Sequence, residues 1–130
     1  MNKLRAKVTN IKNVDNLNLV SFDYNGFNLA MVSLELAKNI KVGVEVNLSV
    51  KSTHIAISKE VSKNISYSNQ IKDKIKHIEN GEILSSISLI SGLESIITAS
   101  SSELLNLKND DEVVLLIKAT ELSILEVLND

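Results

Sequence analysis

Apolar and polar positions alternate along much of this chain. Over residues 4–11, Leu4, Ala6 and Val8 fall on one side and Arg5, Lys7 and Thr9 on the other, a period of two that predicts a half-buried strand. Residues 13–18 carry turn chemistry, and a second strand is predicted over 19–24. Asn25-Gly26 is a two-residue hairpin signal, because both central positions can take positive φ. Residues 27–32 should then pair back as a third strand. Residues 33–39 suit one or two helical turns capped by Ser33. A turn at 41–43 leads into a strand over 44–50, and residues 54–57 form a short closing strand.

The chain then repeats itself. Glu45-Val-Asn-Leu-Ser-Val-Lys51-Ser-Thr53 is echoed 67 positions later by Glu112-Val-Val-Leu-Leu-Ile-Lys118-Ala-Thr120. The same offset joins Leu4 to Ile71, Lys7 to Lys74, Ile11 to Ile78 and Asn13 to Asn80, and it drifts to 65 where Ser33 faces Thr98. Matches at both ends of each half in one register mark a tandem repeat. The second copy is expected to place strands over 71–78, 83–90, 93–97, 113–117 and 122–127, with helical turns over 98–105. Residues 58–70, rich in Ser, Asn and Lys, read as the linker.

Five short strands and one inserted helix per unit suggest a mainly β protein. The expected architecture is two tandem OB-like five-stranded antiparallel barrels, each with one short helix, over residues 1–62 and 63–130. Units of that size bury little apolar surface alone, so the halves should pack on each other or on another chain. A core of Val, Ile and Leu follows from 44% apolar content with only 3% aromatics.

Charge and composition narrow the function classes. Without cysteine there is no disulfide framework, thiolate metal site or cysteine nucleophile. The start shows no apolar signal region and the chain holds no 18-residue apolar span, so a soluble cytoplasmic protein without membrane insertion is expected. The net charge of −2 conceals an imbalance: residues 1–63 carry nine Lys/Arg against five Asp/Glu, and residues 64–130 five against eleven. An acidic chain with few aromatic rings is a poor nucleic-acid binder.

No Gly-rich phosphate loop, Ser-His-Asp order or HExxH motif appears, and carboxylates do not recur as a spaced pair, so an enzyme is not expected. His54 and His77 fall at non-equivalent places in the two copies and read as ordinary strand or surface residues rather than metal ligands. What stands out is a lysine at the end of an apolar strand, Lys118, which must either reach water or meet an anion. Thr98 and Ser101 lie at a predicted helix start, and Ser66 and Ser68 just before the first strand of the second copy. Hydroxyls, backbone N–H groups and one ammonium make a donor-only shell suited to a compact tetrahedral oxyanion. The same residues equally suit a helix cap, a polar linker and a solvated lysine.

Three motifs carry a family resemblance. Ile117-Lys118-Ala-Thr120 is similar to an I-K-A-T signature, Ser66-Tyr-Ser68-Asn69-Gln-Ile-Lys-Asp-Lys74-Ile to S-x-R-N-Q-L-K-G-K-V, and Thr98-Ala-Ser-Ser101 with Leu105-Asn-Leu107 to T-x-x-S-x-x-x-L-x-L. With its doubling, the chain resembles tandem Mop/TOBE molybdate-binding proteins, either a di-molbindin or the ligand-binding domain of ModE-type regulators without their DNA-binding domain. The resemblance implies that Ser66, Ser68, Thr98, Ser101 and Lys118 contact molybdate or tungstate, with a weaker first-copy site at Ser33 and Lys51. It also implies storage, buffering or sensing in molybdenum homeostasis, with no further cofactor, and a homo-oligomer, dimer or trimer, whose pockets form where copies meet. Ser68 stands where the family has arginine, Asp110 where it has a turn glycine, and Leu36 at a helix-start serine, while the first copy's opening is represented only by Asn2, aligned with Asn69. These departures support an alternative, an OB-like interaction or regulatory module that has lost its oxyanion.

Overall fold

A computed structural model describes residues 2–128. These residues form ten strands, β1 (Asn2–Val14), β2 (Leu17–Tyr24), β3 (Phe27–Ser33), β4 (Glu45–Val50), β5 (Ala56–Ser58), β6 (Asn69–Asn80), β7 (Leu84–Leu89), β8 (Glu94–Thr98), β9 (Glu112–Ile117) and β10 (Ser123–Val127). One helix, α1 (Ala99–Leu104), follows β8, and single 3₁₀ turns at Ser52–His54 and Ala119–Glu121 follow β4 and β9.

The predicted alternation is realised. Leu4, Ala6 and Val8 are buried while Lys3, Arg5 and Lys7 are exposed. The turn between β1 and β2 is tighter than expected, two residues with Asp15 and Asn16 at φ 51° and 65°; Asn25 and Gly26 at 49° and 88° close the next hairpin as predicted. Positive φ at both central positions matches the twist of the flanking strands. The register also repeats: β1 and β6 each break their ladder at one irregularity, between Val8 and Asn10 and between Ile75 and His77.

Two antiparallel five-stranded sheets result, ordered β10-β4-β1-β2-β3 and β5-β9-β6-β7-β8. Each takes four strands from one half and an edge strand from the other. The closing strands predicted to complete their own units are therefore exchanged: β5 pairs with β9, and β10 with β4. Ile55 and Leu122, the residues leading into the crossing strands, are both buried in one hydrophobic core shared by the two halves. That shared core answers the shortage of apolar surface in each half. A cut between residues 62 and 63 would strip each sheet of an edge strand. Neither sheet is closed by a ladder between its outer strands among the described residues, unlike the expected barrels.

The helix expected over 33–39 is not formed. Residue 33 ends β3, the Ser33 hydroxyl donates to the Glu35 carbonyl instead of accepting a helix N–H, and only a turn from Ala37 to Ile40 follows. The helix of the second half is present. Thr98 caps it, its Oγ1 accepting from the Ser101 N–H at 3.1 Å.

Candidate functional site

Lys51 and Lys118 each sit where a strand buried on its inner face meets a 3₁₀ turn, with nearly identical backbone angles of φ −71°, ψ 143° and φ −71°, ψ 142°. An extended residue at that point turns the chain out of its sheet and exposes the side chain, as the sequence required of a strand-end lysine. Neither ammonium has a carboxylate partner among the described residues.

The 3₁₀ turns then cross the molecule. The first packs on β8 of the second half and the second on β3 of the first half. They meet where His54 Nδ1 lies 2.6 Å from Glu121 Oε2. These two residues occupy equivalent positions, 67 apart, in sheets of matching strand order, so the contact lies where the two halves meet symmetrically in sequence.

Two cavities flank this pair. One, of about 440 Å³, is lined by Thr53 and His54 from the first half and Tyr67, Thr98, Ser101 and Glu121 from the second, with apolar walls from Ile55, Leu84 and Ile97. The other, of about 330 Å³, brings Lys51 and Ser49 to Thr120 and Ser123. In the first cavity Thr98 Oγ1 donates to Ser101 Oγ at 2.8 Å. The Ser101 hydroxyl proton then has no acceptor among the described residues and is available to a ligand oxygen. Glu121 is the one carboxylate in this wall, and His54 faces it.

The sequence-predicted residues are only partly brought together. Thr98 and Ser101 share the larger cavity, yet its other side is the turn after Lys51, not Lys118. Ser66 and Ser68 are exposed in the segment before β6, and it is Tyr67 between them that lines the cavity. Ser33 lines a separate, mostly apolar cavity of about 390 Å³ with Leu36, Leu122 and Ser123. By ladder register Ser33 is the counterpart of Ile97, not of Thr98, because Asn18 faces Ser33 as Ser85 faces Ile97. Thr53 and Tyr67 are not singled out by the sequence, and His54, which the sequence reads as an ordinary strand or surface residue, lines the cavity. Thr53 had a signal, since Thr53 and Thr120 each follow a strand-end lysine by two positions.

The described residues hold no group of three or more His, Cys, Asp or Glu placed to bind a metal ion. No helix among them is long and apolar enough to cross a membrane. What the seam offers is neutral hydroxyl donors in the larger cavity and the Lys51 ammonium in the smaller one, groups that can hold an anion by direction and by charge.

No protein-family model matches the sequence, and no curated protein matches it. Among solved structures the fold is similar to that of ModG, a cytoplasmic molybdate-binding protein determined with molybdate bound. The two have a TM-score of 0.85 and 25% sequence identity, over 95% of this chain and 94% of that one. This chain therefore shares the mainly β fold of a molybdate-binding protein over nearly its full described length.

Proposed function

We propose that this protein binds molybdate or tungstate as an intact dianion, and that it stores, buffers or senses the ion in the cytoplasm without chemical conversion. The observation that carries this reading is the end-to-end likeness to a protein that binds molybdate. The hydroxyl-lined cavity between the halves and the two lysines without carboxylate partners agree with it.

In this reading residues 1–62 and 63–130 are two copies of one Mop/TOBE-like unit. Thr98 and Ser101 donate to the anion across the seam from Thr53 and the Lys51 turn. Ser66, Ser68 and Lys118, all exposed, are completed by a second copy in a homodimer or trimer. Sulfate is discriminated by radius, since it shares the charge and shape of molybdate.

Titration calorimetry of the full chain with molybdate, tungstate, sulfate and phosphate tests the reading. Heat is expected from the first two ions only, diminished in Ser101→Ala and in either Lys51→Ala or Lys118→Ala, whichever ammonium reaches the ion. Sizing with and without molybdate tests the role of a second copy. Silence with all four ions would leave the alternative, an OB-like interaction module. That second reading is favoured by Ser68 at the family's arginine position and by the Glu121 carboxylate in the cavity wall.

A further inference from the structure

The two halves pack through equivalent positions of the repeat, and at three places along that seam they differ in matched ways. At the first His54 meets Glu121. Beside it, Ser52 Oγ donates to Glu94 Oε1 at 3.2 Å, and Glu94 Oε2 also accepts from Ser86 Oγ at 2.9 Å. On the other side the equivalent positions are Ala119 and Ala30. The exchanged strands divide likewise. Where β10 joins β4, Ser123 faces Ser49 with hydroxyls 3.2 Å apart, and Asn47 Nδ2 donates to Glu126 Oε1 at 2.8 Å. Where β5 joins β9, Ala56 faces Leu116, and Val114 takes the place of Asn47.

At these three places polar meets polar, apolar meets apolar and imidazole meets carboxylate, although Ser58 faces Val114 further along the β5–β9 edge. The same seam built from two first halves would set His54 against His54, Ser52 against Ala30 and Ser49 against Ala56. Two second halves would set Glu121 against Glu121, Glu94 against Ala119 and Leu116 against Ser123. Facing carboxylates in the second case, and polar groups left without partners in both, oppose these alternatives. Without such mismatches a chain of two similar halves with exchanged strands is open to intermolecular pairing. We propose that the seam-forming face of each half is an interaction surface selective for the unlike half, and that it rejects a second copy of itself.

Refolding of the full chain at high concentration, followed by sizing and thermal melting, tests this independently of any ligand. Wild type is expected to return to a single species of native size. Glu121→His and His54→Glu make like and unlike pairing equivalent at the 54–121 contact, so each should melt roughly 2–5 °C lower and add a larger species. The exchange variant His54→Glu/Glu121→His should recover both the wild-type midpoint and the single species. Ser52→Ala/Glu94→Ala removes the mismatch beside that contact while those at His54–Glu121 and Ser49–Ser123 remain, so a smaller share of the larger species should appear, with a lower midpoint from the three hydrogen bonds lost. That arm also decides the matter where a charge variant fails to refold. An exchange variant no better than the single variants, or a Ser52→Ala/Glu94→Ala chain that refolds only to the native species, would overturn the proposal.

Discussion

Asn2 and Asn69 perform the same task in opposite directions. Asn2 donates to the Glu94 carbonyl and accepts from the Glu94 N–H, both at 2.8 Å, while Asn69 donates to the Ala30 carbonyl at 2.9 Å and accepts from the Ala30 N–H at 2.7 Å. Each side-chain amide thereby satisfies an outer strand of the opposite half as a neighbouring strand would. Asn69 is fully buried, so Asn69→Ala leaves a backbone donor and acceptor without partners. A loss of about 2–4 kcal/mol is expected, measured by urea unfolding. Asn69→Asp, which keeps the shape but loses the donor, should be no more stable.

The exchanged strand can be locked covalently. Ser49 and Ser123 face each other across β4 and β10 with their oxygens 3.2 Å apart, and the native chain has no cysteine to interfere. Ser49→Cys/Ser123→Cys should oxidise within one chain and raise stability by about 2–4 kcal/mol. Non-reducing electrophoresis and melting with and without reductant check both statements. Disulfide-linked dimers as the main product would argue that β10 belongs to another chain.

Acid sensitivity should concentrate at Asp111. Its carboxylate accepts from the Lys108 backbone N–H at 2.9 Å and from Lys59 Nζ at 3.3 Å. The backbone hydrogen bond, assisted by Lys59, holds its pKa below the ordinary 3.8. A carboxyl lowered on folding stabilises the fold above its unfolded value and loses that contribution as pH falls through the folded one. Wild type and Asp111→Asn should therefore differ near neutrality and converge as pH drops below 3.8, read from denaturant midpoints against pH.

Gly43 and Asp110 occupy equivalent positive-φ positions, at 96° and 71°. Gly43 N–H donates to the Val8 carbonyl and Asp110 N–H to the Ile75 carbonyl, each at 2.8 Å, pinning a loop to the irregularity in β1 or β6. A Cβ at Gly43 would touch nothing within 4 Å, so the loss in Gly43→Ala comes from the backbone alone. About 1 kcal/mol is expected, measured by thermal melting. Asp110→Gly should be neutral or slightly stabilising, because the strain it relieves is offset by a freer unfolded chain.

Most strands could be read from the sequence because alternation reports a buried face directly, as at Leu4, Ala6 and Val8. The cap at Thr98 could be read because a hydroxyl before a helical run has one favoured use. Ser33 misled because the same hydroxyl bonded a nearby carbonyl. The exchange was hidden for a different reason. β5 and β10 are three and five residues long with few buried positions, and halves that resemble each other offer a closing strand two similar edges. The pairing of Thr98 and Ser101 with Thr53, rather than with Lys118, follows from that exchange and was invisible without it. Tyr67, between Ser66 and Ser68, belongs to no repeated pattern that would mark it in the sequence.

The pairing of β10 with β4 also governs how the chain emerges during synthesis. The first sheet cannot gain its outer strand until residues 123–127 have left the ribosome, so the outer side of β4 stays open while the 72 residues between the two strands are made. An open strand edge at that stage invites adhesion to other nascent chains. The hydrophilic ladder positions Asn47 and Ser49 on that edge lessen the hazard while it waits.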